Sequence, residues 1–166
     1  MKRVKANDPI AICAFGMRRY NEGDFESAID YWEKSAKLGD AEAHYLLSNM
    51  YWDGSVAADM VKVYNHLKEA AIAGHPIARH NLGVVELRVV ELGIGREDRA
   101  VKHWIIAANL GYDTSLKKLR ECYAEGFVSK EDFAAALRAH QAAVDATKSP
   151  KREEAAECSR ATNIKF

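Results

Sequence analysis

Six histidines and three cysteines are the side chains of this 166-residue chain with the chemistry to hold a metal or attack an electrophile. His44, His66, His75, His80, His103 and His140 are scattered along the sequence. None forms the His-Glu-x-x-His arrangement that places two ligands one turn apart on a helix face, so neither a metal nor any other cofactor is expected. A cysteine nucleophile needs a base, an orienting group and a site for the developing oxyanion. Cys13 and Cys122 lie in helical-looking sequence with no elbow or oxyanion loop beside them, so a small α-helical cysteine-dependent enzyme is an alternative reading and not the leading one. Gly93-x-Gly95 is too short for a dinucleotide fingerprint and follows no strand. The odd, sparse cysteine count, with no paired spacing for Cys13, Cys122 and Cys158, fits a reducing compartment.

Charge narrows the partners. Lys plus Arg and Asp plus Glu both number 24, giving a formal net charge of zero. A general surface for nucleic acid or anionic membrane would be basic, so neither partner is expected. An RNA-binding helical repeat stays open as a further alternative, because such repeats share the period described below. No apolar run approaches the roughly 20 residues of a membrane span. Lys2, Arg3 and Lys5 precede an apolar run at 10–15 that is too short for a signal peptide and reads as the first helix. The expected location is cytoplasmic or nuclear.

If the histidines and cysteines do no chemistry, the function lies in the scaffold. Gly39, Gly74 and Gly111 stand 35 and 37 residues apart, and the same residues recur around each. Three before each glycine is Ala36, Ala71 or Ala108; four before that, Trp32, Leu67 or Trp104; four before that, Ala28, Val63 or Ala100. Four after each glycine is Ala43, Ala78 or Ser115, and four further on Leu47, Leu82 or Leu119. Spacing of i, i+4 on both sides of a glycine, repeated in the thirties, is the signature of stacked helix pairs. Trp32, Leu67 and Trp104 should fill the space between helices. The small pairs Ser35-Ala36, Ala70-Ala71 and Ala107-Ala108 should let helices approach closely. Each glycine should end its helix at positive φ. His66 and His103 occupy one repeat position, where the first repeat has Tyr31, which predicts a packing role.

These residues resemble the Sel1-like repeat family, a relative of the tetratricopeptide repeats, over about residues 8–126. The second repeat matches best, through Ala41, Ala43, Leu47, Tyr51, Gly54, Asp59, Leu67, Ala70, Ala71 and Gly74. There are departures: Ser48 replaces the glycine after Leu47, a second loop glycine after Gly54 is missing, and Glu86 stands where tyrosine belongs. The resemblance implies an all-α, right-handed α-α superhelix of about four helix-turn-helix repeats, at about 8–39, 40–74, 75–111 and 112–147. It also implies a non-catalytic adaptor or scaffold for other proteins, binding a peptide or partner helix in a concave groove lined by the first helix of each pair. Carried over by register, the groove positions are Cys13, Met17 and Tyr20; Tyr45, Asn49 and Trp52; His80, Val84 and Leu87; and Lys117, Glu121 and Ala124. As a set they are more aromatic and apolar than a solvated face. Trp52 and Leu87 have a second reading, as cover for the neighbouring pair, and Tyr45 is expected to be exposed.

In chain order, a loose basic leader at 1–7 precedes Asp8-Pro9, an N-cap and first-turn pair. Helices are predicted from Pro9 through Tyr20, then at about 25–38, 40–52, from Asp59 through Ala71, from Pro76, and at 97–110, 114–125 and 130–147. The last opens at Ser129 and should cap the array. Val84-Val85-Glu86-Leu87 and Val89-Val90-Glu91-Leu92 look like a five-residue tandem duplication, which should lengthen the fifth helix or bulge the loop after it. Residues 148–166 read as a charged, frayed tail.

Overall fold

The computed structural model describes residues 8–53, 58–91 and 97–148. These form eight α-helices and no strand: α1 Pro9–Asn21, α2 Phe25–Lys37, α3 Ala41–Trp52, α4 Met60–Ile72, α5 Pro76–Glu91, α6 Glu97–Asn109, α7 Asp113–Ala124 and α8 Lys130–Thr147. The expected leader, the tail from residue 149, and Gly54, Leu92, Gly93, Gly95 and Cys158 lie outside the described residues.

Local chemistry sets the boundaries. The Asp8 carboxylate accepts the Ala11 amide at 3.3 Å, with Pro9 opening α1. Asp24 caps α2 through the Ser27 amide, and Asp59 caps α4 through the amides of Val61 and Lys62 at 3.0 and 3.1 Å. Ser129 Oγ accepts the Asp132 amide at 3.0 Å and opens α8. Gly39, Gly74 and Gly111 sit at φ of +87°, +89° and +85°, a region that strains any residue with a Cβ, so each glycine both stops one helix and aims the next. The tandem valine segment is helical through Glu91, making α5 16 residues long against 12 or 13 for each earlier helix.

The helices pack in pairs, α1 on α2, α3 on α4 and α5 on α6, and each pair rests on the next through α2–α3, α4–α5 and α6–α7 contacts. α8 lies against both α6 and α7 and closes the fourth pair. The repeat positions form the core. Ala28, Trp32, Leu47, Val63, Leu67, Ala71, Ala78 and Leu82 belong to one buried cluster that spans α1 to α5, and Ala100, Trp104, Ala108 and Leu119 to a second beneath α6 to α8. Trp32 and Trp104 are 1% and 2% exposed, and burying each ring contributes roughly 3 kcal/mol. Glu86 is buried on α5, where its carboxylate meets Arg99 of α6 at 2.7 Å and the Tyr64 hydroxyl of α4 at 3.4 Å. The departure from tyrosine at this position thus joins three helices by a paired charge.

Candidate partner-binding groove

Two of the first three helix pairs place a tryptophan of the second helix against a glycine of the first. Trp32 on α2 lies against Gly16 on α1: a Cβ there would come within 2.6 Å of the indole. Trp104 on α6 lies against Gly83 on α5, where a Cβ would fall 2.5 Å from Nε1. Both indoles donate to the carbonyl three residues before that glycine, Trp32 Nε1 to Cys13 O and Trp104 Nε1 to His80 O, each at 3.2 Å. The middle pair differs at both positions. Leu67 replaces the tryptophan and Ser48 the glycine, and Ser48 Oγ donates to the equivalent carbonyl, Tyr45 O, at 2.6 Å. The hydrogen bond survives, made by a hydroxyl in place of an indole, and the volume of the indole does not.

Three cavities open along this face, each between a helix pair and the first helix of the next. The one between α1, α2 and α3 has a volume of about 120 Å³ and is walled by Met17, Tyr20, Trp32, Leu46 and Asn49. The next, between α3, α4 and α5, measures about 240 Å³; Asn49, Trp52, Asn81 and Val84 surround a floor of Ser48, Val63 and Leu67. The third, of about 60 Å³, lies where Leu87, Val101, Trp104, Lys118 and Cys122 meet. Asn49 is shared by the first two, and Val84 and Leu87 are one turn apart on α5. The largest of the three is the one whose floor carries leucine in place of tryptophan.

The expected groove residues therefore separate. Met17, Tyr20, Asn49, Trp52, Val84 and Leu87 wall these cavities. Trp52 is 39% exposed, with the Arg88 guanidinium 5.0 Å from its ring centroid. Lys117, Glu121 and Ala124 are exposed on α7 outside the three cavities, with Glu121 2.9 Å from Lys118. Tyr45 is not the exposed residue expected from register: it packs on the core and stacks on His75 at 4.5 Å between centroids. His80 is half-buried, its Nδ1 2.8 Å from Ser115 Oγ and its ring edge-on to Tyr112. Cys13 is buried, because its helix turns it toward Asp40 at the start of the next pair. Register did not mark Ser48, Leu67 and Asn81, which line the 240 Å³ cavity, or Arg88, whose guanidinium lies over the Trp52 ring at its edge. The one available signal was the departure at Ser48, whose meaning appears only when Leu67 is read with it.

The remaining chemistry-bearing side chains are held by packing and by polar partners, among them His75 at 3.0 Å from Glu42 and His140 at 2.8 Å from Asp113. Burial, then a hydrogen bond to the Asp40 carboxylate, pushes the Cys13 thiol up to about 12. Burial likewise raises Cys122. Both are protonated at neutral pH, the opposite of what a nucleophile needs. His66 stacks on Tyr51, and its Nδ1 is 3.0 Å from His44 Nδ1. His103 is half-buried on α6, near enough to Arg79 and Glu86 to feel their charges. Among the described residues no three His, Cys, Asp or Glu side chains gather as a metal ligand set. No described helix is long and apolar enough to cross a membrane.

No protein-family model matches the sequence, and no curated protein matches it. Solved structures do. A Sel1 repeat protein from Oxalobacter formigenes superposes with a TM-score of 0.68 at 23% identity over 87% of this chain and 61% of that one. A protective antigen of uropathogenic Escherichia coli displaying an SLR fold superposes with a TM-score of 0.66, also at 23% identity, over 82% of this chain and 31% of that one. The chain thus spans less than two thirds of either neighbour. The glycine-ended helix pairs, the buried tryptophan–glycine contacts and these superpositions agree that this chain has the Sel1-repeat fold, a right-handed α-α superhelix.

Proposed function

We propose that this chain is a non-catalytic adaptor or scaffold, and that residues 8–147 form a unit binding a peptide or a partner helix of another protein in the groove along α1, α3, α5 and α7. The observation that carries the reading is the row of three repeat-equivalent cavities, walled by aromatic, aliphatic and asparagine side chains. Apolar concavities with a few fixed polar groups suit a protein segment, whose side chains fill the hollows while its backbone hydrogen-bonds at the rim. Zero net charge favours a protein partner over nucleic acid or an anionic membrane, and a cytoplasmic or nuclear location goes with the sparse, protonated cysteines.

The test compares capture of partners by the wild-type chain and by a Tyr20→Ala, Asn49→Arg, Lys117→Glu variant with an unchanged melting temperature. A partner retained by wild type and lost by the variant supports the groove. A partner retained equally by both contradicts it.

A further inference from the structure

We infer that the cavity over Leu67 is an anchor site for an indole-sized aromatic side chain of a partner protein, presented next to a carboxylate. This rests on the groove reading and names the occupant of the largest of its three cavities.

Two of the three equivalent positions are filled by the chain's own tryptophans, each against a glycine on the facing helix. In the middle pair both residues are exchanged at once, and both of the exchanged residues, Ser48 and Leu67, line the 240 Å³ cavity. An indole at position 67 would collide with the Ser48 side chain, as the 2.6 and 2.5 Å approaches at Gly16 and Gly83 show for even a bare Cβ. The Ser48 hydroxyl also satisfies the carbonyl that the neighbouring indoles satisfy, so the empty volume leaves no backbone acceptor unpaired. The hollow is hydrogen-bond-neutral at its floor, walled by Trp52 and Val84 with an asparagine on either side, and open to the groove. It fits a flat aromatic ring supplied from outside.

Trp52 stands at the rim, and the Arg88 guanidinium lies over its ring. Arg88 is exposed, and no ion pair joins it to another described residue, so a guanidinium stands at the mouth of the pocket. A carboxylate adjacent to the entering ring is its complement, and a guanidinium can grip one through two parallel hydrogen bonds. Asn49 and Asn81, on opposite walls, offer donors and acceptors to the backbone that carries the ring.

The experiment uses the full chain, with indole-3-propionate and its uncharged amide as probes, followed by two-dimensional NMR titration. Expected are saturable shifts at Asn49, Leu67, Asn81 and Val84 for both probes, with the carboxylate binding several-fold more tightly. That preference should vanish in Arg88→Gln. The double variant Ser48→Gly, Leu67→Trp rebuilds the pairing of the two neighbouring repeats. It should melt no lower than wild type and bind either probe at least about tenfold more weakly, because its own indole occupies the site. No saturable shift at these residues, or undiminished binding by a folded double variant, overturns the anchor. Equal affinity for acid and amide overturns the carboxylate. A partner that the double variant retains but the Tyr20, Asn49, Lys117 variant loses overturns the anchor while leaving the groove reading in place.

Discussion

The side chains that decide stability are two tryptophans, and each depends on a neighbour with no side chain. Trp32→Ala should cost roughly 3–5 kcal/mol in chemical denaturation, as for other fully buried aromatics. Gly16→Ser should cost about 1–3 kcal/mol by overpacking against the Trp32 indole. Combined with Trp32→Leu, the two losses should add to less than their sum, because the pair then matches Ser48 and Leu67. Strict additivity would mean that the two positions do not share one volume. Tyr45→Ala, which register alone treats as a surface change, should cost more than 1 kcal/mol, since the ring packs on the core and on His75. Acid should also act on single residues. His66, His80 and His103 are held below the usual histidine value of 6.5, in each case first by burial; nearby positive charge adds to this, from His44, Lys118 and Arg79 respectively. The unfolded chain binds these protons more readily. The stability that the neutral rings contribute is therefore complete above pH 6.5 and is lost as the pH falls through their lowered folded-state values. Melting temperature should decline on acidification from pH 7 to 5, and His66→Phe should flatten part of that decline.

At the scale of elements, nearly every helix was legible because its ends carry strong local chemistry. Aspartate or serine caps, Pro9 and Pro76, and three positive-φ glycines are recognised one turn at a time and need no tertiary information. Gly39→Ala should cost about 1–2 kcal/mol by forcing a Cβ into left-handed backbone, measured as a shift in the denaturation midpoint. The groove was legible only in part. Helical register places Asn49, Trp52 and Val84 on one face, and they do share a cavity. Register does not say how deep a position sits, and depth was decided by residues of the following repeat. Asp40 holds Cys13, Ser115 holds His80 and His75 covers Tyr45. These are contacts across 27 to 35 residues of chain, invisible to a pattern that looks three and four residues away. The Glu86–Arg99 pair is of the same kind: sequence marks Glu86 as anomalous, and only the packing of α6 on α5 supplies its partner.

For the whole molecule, the stacking of like pairs makes the groove a row of similar hollows graded by what fills their floors. The two tryptophan floors leave about 120 and 60 Å³, and the leucine floor leaves about 240 Å³. We propose that a protein partner lies along the first helices and not across the second. The most direct measurement is photo-crosslinking from a benzophenone side chain placed at Asn49 on α3, and separately at Glu69, exposed on α4, with a captured partner bound to the full chain. The account predicts a crosslinked product from position 49 and none from position 69. Crosslinking from position 69 with none from position 49 would contradict it.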